Sequence, residues 1–168
     1  MTENTIISVK IKDIINECKG IKTFIFNIRD NNLIKIYKKP KPGQFVMVWI
    51  PGVDEIPMSI SGCDSEGNWS ITVREVGECT KVMHELKVGD FIGIRGPLGN
   101  YFKIPTKESK KVIIIGGGTG MAPLKFLSLE LINLNRNFVV IHGAKTENEL
   151  INIDQLKNRF IKNRTKFC

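Results

Sequence analysis

The apolar residues of this chain change their period part-way along it, and that change constrains the fold more than any single motif. From residue 6 to about 105 they recur in short, nearly alternating runs, among them Ile21-Lys22-Thr23-Phe24-Ile25-Phe26, Phe45-Val46-Met47-Val48-Trp49-Ile50 and Trp69-Ser70-Ile71-Thr72-Val73. A period of two turns successive side chains to opposite faces, so each run predicts a strand with one face in a core. Turn-forming clusters separate the runs: Pro40-Lys41-Pro42-Gly43, Pro51-Gly52, Ser65-Glu66-Gly67-Asn68, Val88-Gly89-Asp90 and Gly96-Pro97-Leu98-Gly99. About six short strands at such spacing predict an antiparallel β-barrel. Between Cys79 and Lys87 the spacing of Val82, Met83 and Leu86 is helical instead, which predicts a short helix inside the barrel.

Beyond the polar stretch Thr106-Lys107-Glu108-Ser109-Lys110, read as a linker, the pattern becomes continuous in Val112-Ile113-Ile114-Ile115. An unbroken apolar run predicts a strand buried on both faces. It leads into Gly116-Gly117-Gly118-Thr119-Gly120, a helix expected from about Ala122 to Asn133, a second buried strand Phe138-Val139-Val140-Ile141, and a helix from about Asn148 to Ile161. Strand, helix, strand, helix opens a parallel sheet with crossover helices, so the fold class is a barrel followed by α/β. Two parallel strands cannot cover their own faces and edges, and the second unit is therefore expected to be incomplete, with the chain truncated at Cys168. The expected boundaries are 1–106 for the barrel domain and 111–168 for the N-terminal part of the α/β domain.

Composition removes several classes. With 168 residues, 42% of them hydrophobic and 25% charged, the chain is globular and not disordered. No apolar run approaches the roughly 18 residues of a membrane-spanning helix, and the start Met1-Thr2-Glu3-Asn4 is not that of a signal peptide, so a cytoplasmic protein off the membrane is expected. Cys18, Cys63, Cys79 and Cys168 are scattered without a Cys-x-x-Cys pair, and His84 and His142 are the only histidines, so no metal site is legible. Half of the net charge of +8 lies in residues 151–168, where Lys157, Arg159, Lys162, Arg164 and Lys166 face Asp154 alone. Such a surplus suits a polyanionic cofactor or a lysine-rich surface as well as nucleic acid, which is not expected as a partner.

The glycine turn carries the clearest chemistry. Glycines at 116, 117, 118 and 120 allow positive φ and let backbone N–H groups approach a ligand, while the following helix directs its positive end to the same place. Together these form an anion site suited to a pyrophosphate, with Pro123 tolerated in the first helical turn. Met121 stands where the G-x-G-x-x-G fingerprint has its last glycine, so this is not a standard dinucleotide turn, and no Gly-Lys-Ser or Gly-Lys-Thr makes it a P-loop. The alternative is a turn that needs glycine only for packing helix against strand. His142, Gly143 and Lys145 end the second buried strand, where ligands of open sheets bind, and a contact with the adenosine side of a dinucleotide is a weaker candidate there.

The string Ile113-Ile114-Ile115-Gly116-Gly117-Gly118-Thr119-Gly120-Met121-Ala122-Pro123-Leu124 resembles the nucleotide-binding turn of the ferredoxin-NADP reductase superfamily. Pro42-Gly43-Gln44-Phe45, Ile56-Pro57-Met58-Ser59-Ile60 and Gly96-Pro97-Leu98-Gly99-Asn100-Tyr101-Phe102 agree with it in order and spacing, so the resemblance spans essentially the whole chain. Glu55-Ile56-Pro57-Met58-Ser59 together with Val76-Gly77-Glu78-Cys79-Thr80-Lys81 is most similar to the electron-transfer subunits of B-type dihydroorotate dehydrogenases.

That resemblance implies a six-stranded flavin-binding barrel followed by a partial parallel-sheet nucleotide-binding domain. It implies FAD packed against Pro57, Met58, Ser59 and Ile60, with the Ser59 hydroxyl near flavin N5 as the catalytic contact. The family arginine of this strand is replaced by Ile56, and its stacking aromatic by Met58. A second anion site is implied at Gly77, Glu78, Cys79, Thr80 and Lys81, with Thr80 as hydroxyl donor or helix cap, and a cradle for NAD(H) at Gly117, Gly118, Thr119, Gly120 and Met121. The implied activity passes electrons between NAD(H) and a catalytic dihydroorotate dehydrogenase subunit in pyrimidine biosynthesis. A [2Fe-2S] cluster belongs to complete family members, and its ligands are not in this chain. The alternatives are a diaphorase subunit of the sulfide dehydrogenase or hydrogenase type, and a flavin-binding fragment without turnover.

Overall fold

A computed structural model describes residues 5–28, 39–105, 111–146 and 149–151. Strands β1 (Ile7–Cys18), β2 (Ile21–Asn27), β3 (Phe45–Ile50), β4 (Asp54–Cys63), β5 (Asn68–Arg74) and β6 (Phe91–Leu98) close into a barrel in the order β1-β2-β5-β4-β3-β6. Every neighbouring pair is antiparallel. Alternation in the sequence becomes alternation in space, for Phe24, Phe26, Val46, Val48, Ile60, Ile71, Val73, Ile92 and Ile94 all point inward and are fully buried.

The Gly96-Pro97-Leu98 cluster, expected as a turn, is the end of β6. Leu98 pairs with Phe45 and Arg95 with Met47, so Gly96 and Pro97 together oppose Val46. This is a β-bulge, in which one residue has no ladder partner, and that is a place where proline loses nothing by lacking an N–H. Gly96 lies at φ 144°, where a side chain is strained.

Helix α1 (Glu78–Glu85) starts one residue earlier than its sequence pattern suggests and turns Cys79 and Met83 into the barrel core. After the barrel, β7 (Val112–Gly117) runs into a 3₁₀ turn (Gly118–Gly120), then α2 (Met121–Asn133) and β8 (Phe138–Gly143). β7 and β8 are parallel, from Val112 opposite Phe138 to Gly117 opposite Gly143. Their expected burial on both faces is not observed. Ile114, Phe138 and Val140 are buried on one face, while Ile113 and Ile115 on the other are 63% and 70% exposed. The reason is that α2 packs on one face only, and no described element covers the second. The linker 106–110 and most of the helix expected over 148–161 fall outside the described residues.

Helix α2 is apolar on two sides. Met121, Ala122, Leu127 and Leu131 pack with β7 and β8, whereas Phe126 enters the barrel core; in the other direction Ile21 of β2 joins the core of the parallel pair. Ser128, fully buried in α2, donates its hydroxyl hydrogen to the Leu124 carbonyl at 2.8 Å, which satisfies it within the helix.

Candidate functional site

The barrel opens along one side of β4. This strand pairs with β3 throughout Asp54–Ser59, but with β5 only from Ile60 to Cys63. Beyond Ile71, β5 pairs with β2 alone, so β4 and β5 diverge, and α1 fills the inner end of the gap with Cys79 and Met83. Ile60 donates its N–H to the Gln44 carbonyl at 3.1 Å, toward the β3 side. Amides two residues apart in a strand point the same way, so the backbone of Pro57 and Ser59 faces the open side. Proline is tolerated there because no ladder bond is forgone. Ser59 is exposed, and its hydroxyl has no hydrogen-bond partner among the described residues. Ile56 and Met58 turn the other way and pack against the barrel core, and Ile60 is fully buried in it. A hydrophobic residue at 56 is thus accounted for by its inward direction.

Across the gap lies the start of α1. The Thr80 hydroxyl oxygen accepts the N–H groups of Val76 and Gly77, each at 2.9 Å, and donates its own hydrogen to the Gly77 carbonyl at 2.9 Å. One donor and two acceptor places are thereby filled, so Thr80 holds the turn together and has nothing left to offer a ligand. Gly77 supplies no side-chain cap, which leaves the amides of Glu78 and Cys79 at the positive end of the helix as donors for an anion. Lys81 is exposed beside them, as is the Glu78 carboxylate, which itself favours the helix N-terminus and competes with any anion for it. Burial pushes the Cys79 thiol above its ordinary pKa, and the charges of Asp54 and Glu78 push it further. A thiol at a helix start is often activated; this one is not.

The glycines of the second turn divide by role. A Cβ on Gly116 would lie 2.8 Å from Leu124 Cδ1 and 2.9 Å from Met121 Sδ, so this glycine lets α2 approach β7. At Gly118 and Gly120 a Cβ would meet nothing within 4 Å, and at Gly117 only the Gly143 carbonyl oxygen at 3.9 Å. Gly118 has φ 48°, in the left-handed region. Packing and an open cradle therefore coexist. Gly120 provides no side-chain cap to α2, and the first amide of that helix, that of Met121, is bonded back into the turn. Thr119 is half-buried beside it. Met121 is fully buried and donates its N–H to the Gly118 and Thr119 carbonyls, which makes it a support beneath the turn.

His142 follows from the alternation of β8, which puts Phe138, Val140 and His142 on the α2 side. It is only 9% exposed, although position at a strand end suggested a surface contact. Burial pushes its pKa below the ordinary value, partly offset by the Gly118 backbone. Neither ring nitrogen reaches hydrogen-bonding geometry with any described residue. Gly143 and Lys145 beyond it are exposed.

Among the described residues no group of three or more His, Cys, Asp or Glu is placed to hold a metal ion, and none of their helices is long and apolar enough to cross a membrane.

Residues 8–102 match the family described as oxidoreductase FAD-binding domain. The chain belongs to that family. This FAD-binding chain is 41% identical over 144 residues to a probable dihydroorotate dehydrogenase B (NAD(+)) electron transfer subunit of Methanocella arvoryzae, covering 86% of this chain and 50% of the relative. The same figure of 41% holds over 148 residues for the protein of that name from Methanocaldococcus jannaschii, covering 88% of this chain and 51% of the relative. Sulfhydrogenase 2 subunit gamma of Pyrococcus furiosus is 34% identical over 137 residues, 80% of this chain and 47% of the relative. The FAD-binding chain thus spans about half the length of the curated relatives it matches. Among solved structures, an NADH-dependent reduced ferredoxin-NADP oxidoreductase superposes with TM-score 0.77 at 26% identity, over 95% of this chain and 55% of that one. Ferredoxin-NADP+ reductase from Plasmodium falciparum shares the fold, with TM-score 0.77 at 21% identity over 96% of this chain and 69% of that one.

Proposed function

We propose that this chain is the flavin-binding and nucleotide-docking part of an electron-transfer subunit that passes electrons between NAD(H) and a catalytic dihydroorotate dehydrogenase subunit in pyrimidine biosynthesis. Residues 1–106 form the FAD-binding barrel and 111–168 begin the NAD(P)-binding domain. The observation that carries this reading is the free hydroxyl of exposed Ser59 on the stretch of β4 that has no β5 partner. When bound, FAD would supply the hydride-transfer and single-electron-transfer chemistry.

The chain's own residues position and stabilise. The Pro57 and Met58 backbone and Ser59 would border the ring, with Ile60 anchoring their strand in the core and the Ser59 hydroxyl donating toward the reacting edge. The amides of Glu78 and Cys79, held in place by Gly77 and Thr80 and joined by Lys81, receive the flavin's phosphates. Gly117, Gly118, Thr119 and Gly120, supported from below by Met121, receive the pyrophosphate of NAD(H). The [2Fe-2S] cluster of the complete protein lies outside the residues of this chain, as does the rest of the nicotinamide pocket.

The purified full-length protein is expected to be yellow and to bleach when NADH is added without oxygen. A protein that carries no flavin and takes none up overturns the proposal. Copurification with a dihydroorotate-oxidising partner supports the pathway. The gamma subunits of sulfhydrogenases favour a second reading, a diaphorase serving a hydrogenase, and copurification with a hydrogen-evolving partner selects it.

A further inference from the structure

A buried polar ring with both nitrogens unpartnered is costly, because each unmade hydrogen bond in a dry site carries the desolvation of its group without return. His142 is such a ring, 9% exposed at the carboxyl end of β8 on the face that otherwise buries Phe138 and Val140. An apolar side chain would serve packing better at this position. The ring lies below the glycine turn, since His142 pairs across the sheet with Gly116, and the polar group nearest in effect is the Gly118 backbone. That group favours the protonated ring, which only its carbonyl oxygen can do. Gly118 sits in the left-handed region at the start of the 3₁₀ turn, with open space on its ligand side. Its carbonyl accepts the Met121 N–H and retains a second lone pair.

We infer that His142 is a positioning residue for the nucleotide turn: when a dinucleotide pyrophosphate occupies the cradle, the turn settles onto the ring and His142 donates a hydrogen bond to the Gly118 carbonyl. The inference rests on the nucleotide role proposed for that turn. In the free protein the ring feels the Gly118 carbonyl without reaching hydrogen-bonding geometry with it; in the complex the bond is made and fixes the carbonyl of the residue whose neighbours line the cradle. The ring is neutral when buried, so one nitrogen is available as donor.

The test compares His142→Phe with His142→Asn and His142→Gln in the flavin-loaded full-length protein. NAD+ affinity is measured by calorimetric titration, alongside melting temperature and flavin content without nucleotide. His142→Phe fills the site without a donor. It is expected to raise the melting temperature, keep the flavin, and weaken NAD+ binding by roughly three- to tenfold, the worth of one hydrogen bond. At least one of the two amide variants, which place a donor near one or other ring nitrogen, is expected to restore binding. Unchanged affinity in His142→Phe overturns the inference, and so does failure of both amides to bind better than His142→Phe. A fall in melting temperature with loss of flavin also overturns it, since that marks a purely structural ring. If the wild-type protein binds flavin but no NAD+, the nucleotide role itself fails; if the wild type binds NAD+ and His142→Phe binds equally well, only the role of His142 fails.

Discussion

Gly116 and Gly120 stand in one turn and answer to different constraints. At Gly116 an added methyl meets Leu124 and Met121 side chains below 3.0 Å, so Gly116→Ala is expected to cost about 1–3 kcal/mol of stability by overpacking, read as a lower denaturation midpoint. Gly120 has an ordinary helical φ of −61° and nothing within 4 Å of an added Cβ. Gly120→Ala should therefore stay within about 1 kcal/mol of wild type while weakening NAD+ binding about tenfold, because the methyl enters the cradle and not the core. A titration that finds both variants equal in binding removes the division of roles. Ser59→Ala belongs to the same scale. Flavin content should be retained, and the rate of NADH-driven flavin reduction in stopped flow should fall about tenfold, as expected for one hydrogen bond made at the reacting atom.

Among the elements, α1 depends on a single hydroxyl. Thr80→Ala strips the partner from the Val76 and Gly77 amides and is expected to cost about 1–3 kcal/mol, with flavin released at a lower denaturant concentration than in wild type; Thr80→Ser should restore both. The element-level pattern also shows what could be read from sequence. Alternation in Phe45–Ile50 and Trp69–Val73 was enough to place strands, because burial of one face is a local demand. The divergence of β4 from β5, beside which the candidate site lies, could not be read, since it depends on pairing between distant residues. Gly96-Pro97 misleads for a related reason: the same residues suit a turn and a bulge, and only the opposite strand distinguishes them. Apolarity in Ile113 and Ile115 signals a face that wants cover without saying where the cover comes from. In the candidate site, only the family resemblance singles out Ser59, and its exposure on β4 agrees equally with a strand-end serine facing water. The burial of His142 required knowing which face α2 takes.

For the whole molecule the titratable groups bound a pH range. The Arg95 guanidinium grips Glu55 bidentately, at 3.0 and 2.9 Å across β3, and lowers its pKa. Burial raises that of Asp64, but this is outweighed by hydrogen bonds from the Asn68 side chain and from the amides of Asn68, Glu66 and Gly67. Carboxyls depressed in the fold stabilise it above their unfolded pKa, and that stability is lost as pH falls through the folded value. His142, depressed by burial, adds to the acid side because folding favours its neutral form. Cys79 and Cys18 are both raised, by burial first, so their contribution is present below the unfolded thiol pKa and is lost as pH rises through the raised one. Denaturant midpoints should thus plateau between the ordinary histidine value of about 6.5 and the ordinary thiol value of about 8.5, and fall on either side. Cys79→Ala should flatten the alkaline limb; an unchanged limb assigns it to other groups.

The barrel closes by pairing its first strand with its last, from Ile7 opposite Ile94 to Lys10 opposite Phe91. During synthesis, β1 leaves the ribosome long before β6 exists, and a sheet made of the earlier strands keeps open edges on β1 and β3 throughout that interval. Completion waits for the bulged segment around Gly96 and Pro97 to emerge. The strand that bears Ser59 is thus translated well before the wall that encloses its barrel, and the nascent chain closes its FAD-binding domain late.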